Sequence, residues 1–232
     1  MTLSIMQPYF LPYVGYFQLI AASDVFVVYD NIKYTKKGWI NRNRMLREGE
    51  AATFSLPLKK ASDSLDVRER ELSADYDPEK LLNQFAAAYR RAPHFARTWP
   101  VIEEILRHED RNLFGFLHHS IIRVCGHLGI TTEIRISSDI GIDHGLRNQD
   151  KVLALCEAAG ARRYVNPPGG MQLYEKDAFK ARGVELKFLK PKELVYRQFR
   201  EPFVPWLSIL DVMMFHAPES LRDVIESGYD LI

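Results

Sequence analysis

DVFVVY, residues 24–29, is almost unbroken in β-branched and aromatic side chains. Such a strand has no polar face to offer water, so it belongs in a sheet covered on both sides. Residues 2–6 precede it as a short strand and residues 15–23 as a helix. Strand, helix and strand in such close succession make a βαβ unit, which predicts an α/β fold with a mainly parallel sheet. Further strands are expected at 53–58, 132–136, 163–165 and 184–189, and the alternation of VRERELS suggests another at 68–73. Between about 77 and 129 the apolar spacing is helical, which predicts a mainly helical insertion in a single α/β domain spanning 1–232. Residues 148–159 and 173–182 read as helices stopped by Gly160 and Gly183, and two more helices close the chain.

Composition narrows the function classes. The 31 Lys and Arg against 30 Asp and Glu leave a formal charge of +1, so any anionic ligand must be held by a local basic patch. No apolar stretch approaches the roughly 20 residues that cross a bilayer, and prolines interrupt the only stretch resembling a signal peptide. The two cysteines stand outside any metal-like spacing, and a cytoplasmic location is expected. His118 and His119 are adjacent in a helical pattern and cannot share a face, so no metal site is expected.

Three segments carry candidate chemistry. The first, IMQPYFLPYVGYFQLI, follows the first strand, where open α/β sheets bind ligands. Pro8 and Pro12 stiffen it, while Gln7, Tyr9, Tyr13 and Tyr16 offer an amide, hydroxyls and ring faces. The second, DNIKYTKKGWINRNRML, follows the second strand. Its Asn31, Tyr34, Lys36, Trp39, Asn41, Arg42 and Asn43 interleave cations, rings and amides, a composition suited to a phosphate joined to a ring or sugar, or to RNA. Asp30 is the candidate general base. Lys36 is the second catalytic candidate and shares with Arg42 the expected hold on phosphate. Third, NPPGGMQLY brings Gly169, Gly170 and Tyr174 to a strand-to-helix turn whose backbone N–H groups could cradle an anion.

PYVGY also has the placement of the H-x-G-H turn of nucleotidylyltransferase-like folds, with Tyr13 and Tyr16 in place of both histidines. That similarity implies a Rossmann-like architecture. Over nearly its whole length the chain resembles the WbqC-like protein family, through Q-P-x-x-x-P-x-x-G-Y-F, Y-D-N-x-x-Y-x-K-x-x-W-x-N-R-N, and the later LCEAAGARRYVNPPGGMQLY and FVPWLSILDVM. The resemblance implies a place in O-antigen or other surface-polysaccharide assembly, and a glycine (aminoacyl) transferase role. The expectation is therefore a cytoplasmic group transferase moving a glycyl or other acyl group to a nucleotide-linked amino sugar. An ATP-dependent acyl-activating enzyme and a non-catalytic nucleotide-sugar or RNA binding module are the alternatives. The sequence names no cofactor, and leaves donor, acceptor and oligomeric state open.

Overall fold

The computed structural model describes residues 1–232. Its main sheet has six strands, β1 (Thr2–Met6), β2 (Val25–Val28), β5 (Glu133–Ile136), β6 (Arg163–Asn166), β7 (Glu185–Pro191) and β8 (Tyr229–Leu231), in the order β5-β2-β1-β6-β7-β8. All neighbours are parallel except β8, which runs antiparallel to β7. The fold is α/β and Rossmann-like, as the opening βαβ unit predicts.

Strand alternation decides which helices cover which face. Leu3, Ile5, Val25 and Val27 pack with Leu155 and Phe179 of helices α5 (Asn148–Ala159) and α6 (Lys176–Ala181). Phe26 and Val28 face the opposite way, into a larger core with Phe17 and Ile20 of α1 (Val14–Ala21). That core also takes in the helical segment α2 (Pro78–Tyr89), α3 (Phe95–Leu106) and α4 (Leu113–Leu128), and the closing helices α7 (Ile209–Phe215) and α8 (Pro218–Ser227). No helix is long and apolar enough to cross a membrane.

Local chemistry sets the boundaries. Asp77 accepts the Glu79 amide ahead of Pro78 and starts α2, and Gly160, left-handed at φ 68°, ends α5.

Two sequence expectations are corrected. Residues 42–43 do not lie in an irregular basic segment: Arg42–Arg47 is strand β3, paired antiparallel with β4 (Glu50–Ser55). Glu48 and Gly49 both have positive φ, 57° and 90°, the backbone of a tight two-residue hairpin. Asn43 and Met45 face inward while arginines alternate outward, and that outward face disguises the strand. VRERELS is no strand either. Val67–Glu69 is a 3-10 turn, strapped on one side by Val67 N to Ile32 O and Arg68 N to Asp30 O, and on the other by Leu113 N to Arg70 O. Glu71 and Leu72 make only isolated bridges, to Asn112 and Leu58, and bonds scattered over several neighbours build no ladder for a strand to join.

Candidate functional site

Strand order reverses between β1 and β6, because β2 and β5 lie on one side of β1 and β6 and β7 on the other. The loops leaving the carboxyl ends of these strands meet at one edge of the sheet, the crevice where open α/β folds hold ligands.

The opening loop is fixed by polar stitches as well as by its prolines. Leu11 has φ 43°, an expensive left-handed bend for a branched residue. Its carbonyl accepts from Asn43 Nδ2 at 2.8 Å and Ser208 Oγ at 2.7 Å. Phe10 N donates to Ile40 O at 2.9 Å, so the first two candidate segments are bound to each other. Tyr16 is 2% exposed, and its hydroxyl donates to Gln7 O at 3.0 Å. The Gln7 side chain is half-buried and makes no hydrogen bond within the chain. At Gly15 the chain leaves room for the Tyr13 ring, which lies where a Cβ would be at the start of α1 and would have to shift for any other residue.

Two clefts share the segment from Tyr34 to Arg44 as a common wall. One, of about 220 Å³, is lined by Tyr9, Pro12 and Tyr13 of the opening loop, Trp39, Asn43 and Arg44 of the second segment, and Trp206. Trp39 is 44% and Trp206 66% exposed. The Arg44 guanidinium lies 5.4 Å from the Trp39 ring centroid and donates to Trp206 O at 2.9 Å. Arg44 also carries a buried Nε with no partner. Rings on several sides of a fixed cation form a slot for one flat or apolar-faced ring. The other cleft is an open groove of about 510 Å³ lined by Tyr34, Lys36, Asn41, Lys59, Lys60 and Arg70.

Within that wall, several candidates hold structure. Asn41 accepts the Tyr34 hydroxyl at 2.8 Å and donates to Leu56 O at 2.8 Å. Arg42 donates to the carbonyls of Gly38 and Lys37, at 2.9 and 2.6 Å. Asn43 is 7% exposed and clamps Phe10 and Leu11. Lys36 pairs with Asp63 at 2.9 Å in solvent.

A polar cluster closes the carboxyl ends of β2 and β5. Asp30 is 3% exposed, with Oδ1 2.9 Å from Ser137 Oγ and accepting Ser138 N at 3.0 Å. Its Oδ2 faces Arg68 at 3.6 Å. Burial pushes the Asp30 pKa up, but hydrogen bonds from Ser138 and Ser137 outweigh it and leave the pKa lowered. Ser137 Oγ is also 2.5 Å from Asn31 Oδ1, so its single proton serves one of the two acceptors at a time. Asn31 Oδ1 accepts from Lys151 Nζ at 3.1 Å, and Asn31 Nδ2 faces His144 Nδ1 at 2.9 Å. Lys151 is 9% exposed, its Nζ 5.3 Å from the Tyr29 ring centroid, and burial lowers its pKa.

The third candidate segment differs from expectation. Pro168–Gly170 is a 3-10 turn, and α6 begins only at Lys176, so Tyr174 precedes the helix and no helix amino terminus stands directly behind Gly169 and Gly170. Gly170 is buried, and Asn166 Nδ2 stands where a Cβ would be. Gly169 is exposed with open space around it. Tyr174 packs edge-on against Tyr164 at 5.8 Å.

A profile of the WbqC-like protein family matches residues 7–223, which takes in both clefts and the polar cluster. The chain belongs to the WbqC-like protein family. It is similar to the uncharacterized protein Rv1507c of Mycobacterium tuberculosis, 27% identical over 225 residues that cover 94% of this chain and 96% of the relative. No solved structure matches it significantly.

The aromatic cleft of this WbqC-like chain brings Tyr9, Tyr13, Trp39 and Asn43 together, and the basic groove takes Tyr34, Lys36 and Asn41. Asp30 and Asn31 lie in the polar cluster, Tyr16 in the core, and Gly169, Gly170 and Tyr174 around the turn after β6. Sequence reasoning counted Arg44 among the cations of the second segment without giving it a role, and passed over Trp206, Lys59, Lys60, Arg70 and Lys151. Lys151 left one signal: it stands four residues before Leu155 on the buried stripe of α5, an odd place for a lysine.

Proposed function

We propose that this WbqC-like chain is a cytoplasmic group transferase of surface-polysaccharide (O-antigen) assembly, passing a glycyl or other acyl group to the amine of a nucleotide-linked amino sugar. In that step the amine nitrogen attacks the acyl carbonyl and the amide bond forms. The bond to the donor's leaving group breaks, the leaving group departs with its electron pair, and the amine gives up a proton. The observation that carries the reading is the aromatic cleft, where Tyr9, Tyr13, Trp39 and Trp206 stand around Arg44. Its volume of about 220 Å³ suits a single ring, a base or a sugar, and aromatic walls hold either by stacking. Lys36 faces phosphate across the adjoining groove, while Arg42 acts by bracing the loop that carries Trp39.

Asp30 enters as a positioning residue in this reading. A lowered pKa keeps it ionised at neutral pH, but its oxygens already hold Ser137, Ser138 and Arg68, and so set the place of Asn31 and Lys151 beside them. That closed carboxylate also favours a second reading, a non-catalytic module that binds a nucleotide sugar on the same face.

The test is mass spectrometry of nucleotide-linked amino sugars incubated with the chain and a panel of glycyl and acyl donors. A mass gain on the sugar, reduced by Trp39→Ala, is expected. Saturable sugar binding with no mass gain from any donor would leave the binding module, and no binding at all would end both readings.

A further inference from the structure

Arg70 is the one arginine of the 3-10 strap that points inward. It is 4% exposed, and its guanidinium lies 4.4 Å from the centroid of the Tyr34 ring. Nη1 donates to Ser62 O at 3.0 Å, Nε is buried without a partner, and no carboxylate lies within ion-pair distance. A cation withdrawn from water is costly unless an opposite charge or hydrogen bonds replace the water. One carbonyl and one ring face replace part of it. The remaining open side is the groove, where Lys36, Lys59 and Lys60 stand around the same space.

We infer that this groove is an anion seat for the diphosphate of a small ligand, with Arg70 as its fixed point and the three lysines as its mobile clasp. Two of the lysines rest on carboxylates at the rim, Lys36 on Asp63 at 2.9 Å and Lys59 on Glu71 at 2.8 Å. Both pairs are well exposed, and such pairs contribute little, so either lysine can leave its partner for a doubly charged group at small cost. The third, Lys60, has no carboxylate within ion-pair distance. The back wall is rigid, because the Tyr34 hydroxyl is held by Asn41 and Asn41 by Leu56 O. Four cations converging on about 510 Å³ exceed what a single carboxylate needs, and the volume is that of a small-molecule site rather than a nucleic-acid track. The assignment keeps Lys36 as a phosphate contact and replaces Arg42, whose donors are tied to Lys37 O and Gly38 O, with Lys59, Lys60 and Arg70, which sequence reading passed over. It deepens the proposed function, and rests on that reading for the nucleoside and sugar at the two ends of the diphosphate.

The experiment is calorimetric titration of the full chain with inorganic pyrophosphate, and separately with a nucleotide-linked amino sugar, at low and at moderate salt. Wild type, Lys60→Ala, Arg70→Lys and Lys37→Ala are compared. Lys37 is exposed and outside the groove, and so controls for loss of one positive charge. Pyrophosphate is expected to bind wild type and Lys37→Ala alike, and Lys60→Ala and Arg70→Lys at least tenfold more weakly. Lys60 is on the surface, so its variant reports on the seat even if Arg70→Lys fails to fold. Pyrophosphate affinity that ignores Lys60 and Arg70, or no binding to wild type at low salt, overturns the seat. If the nucleotide sugar then still binds, the functional reading survives without it. Pyrophosphate binding that depends on Arg70 while no nucleotide sugar binds leaves the seat standing and sinks that reading instead. A short RNA that displaces pyrophosphate with a steep salt slope overturns the small-ligand assignment.

Discussion

Asp30 and Asp211 are both closed off from solvent, 3% and 0% exposed, yet their pKa values move in opposite directions. Asp30 meets a serine hydroxyl, a backbone N–H and a guanidinium, and its pKa is lowered. Asp211 meets only neutral donors, Tyr89, Tyr196 and Gln198, and burial raises its pKa because those bonds do not offset the lost water. Around Asp211 every group is engaged. Tyr89 Oη also accepts Leu46 N at 2.7 Å, and Gln198 grips Val204 through both its amide and its carbonyl. The Asp211 region is therefore a clamp joining α2, β3, the loop at 196–204 and α7. Around Asp30 the groups are crowded and partly left over: Lys151 with a lowered pKa, and one Ser137 proton between two acceptors. A clamp should register changes as stability, and a ligand edge should register them as binding.

Emptying the clamp tests this most severely. Asp211→Ala takes the acceptor from the Tyr89 and Tyr196 hydroxyls and from one Gln198 N–H, at about 1–3 kcal/mol each. A loss of at least about 3 kcal/mol is expected, or roughly 10 °C in melting temperature for a chain of this length. Affinity of the surviving folded protein for a nucleotide sugar should be unchanged. A melting temperature that barely moves would mean the loop at 196–204 is held by something else, and the comparison would lose one of its sides.

Titration separates the two aspartates by sign. Asp30 has a lowered folded pKa, so its stabilisation is complete above the ordinary 3.8 and is lost as pH falls through the lower folded value. For Asp211, with a raised folded pKa, the contribution is complete below 3.8 and is lost as pH rises through the folded value. Melting curves of wild type, Asp30→Asn and Asp211→Asn from about pH 3 to about pH 7 should therefore show two gaps moving in opposite directions. The wild-type advantage over Asp30→Asn fades in acid, and that over Asp211→Asn shrinks toward neutrality. Gaps that move together would show that one of the two environments has been misjudged.

Sequence reading made the sheet visible through runs such as DVFVVY, whose burial on both faces needs no partner to be inferred. It did not reveal β8, three partly exposed residues that become a strand only by pairing with Leu189, Lys190 and Pro191. It also missed β3, because Arg42 and Arg44 on the outward face look like a solvated basic loop. At the edge, residue types were legible and their partners were not. Asn43 is an unusual residue in an unusual string, but nothing local says that its amide closes on Phe10 and Leu11. Trp206 and Arg70 come from distant parts of the chain, and only the folded topology brings each beside the second segment.

Trp39 carries the comparison to the aromatic cleft. It is 44% exposed and flanked by Arg42 and Arg44 at 5.6 and 5.4 Å from its ring centroid. Stacking a base on such a ring is worth about 1–3 kcal/mol, so Trp39→Ala should weaken nucleotide-sugar binding by roughly tenfold or more. Its melting temperature should stay within about 2 °C of wild type, since little core is removed. Unchanged affinity for every ligand that binds would mark the second segment as scaffold.

Gln7 gives the smallest expected effect and the finest test of the ligand edge. Its carbonyl is held by the Tyr16 hydroxyl, and that bond does not depend on the side chain. Its amide, half-buried at the carboxyl end of β1, makes no hydrogen bond within the chain. Gln7→Ala should therefore change stability by no more than about 0.5 kcal/mol. A single ligand hydrogen bond is worth about 0.5–1.5 kcal/mol, so loss of one predicts roughly a two- to tenfold drop in nucleotide-sugar affinity. Thermal melts and calorimetry on the same preparation read both quantities. A large fall in melting temperature with affinity intact would place Gln7 in the class of Asp211, as part of the frame. The edge would then begin beyond the opening loop, at Trp39 and Arg44.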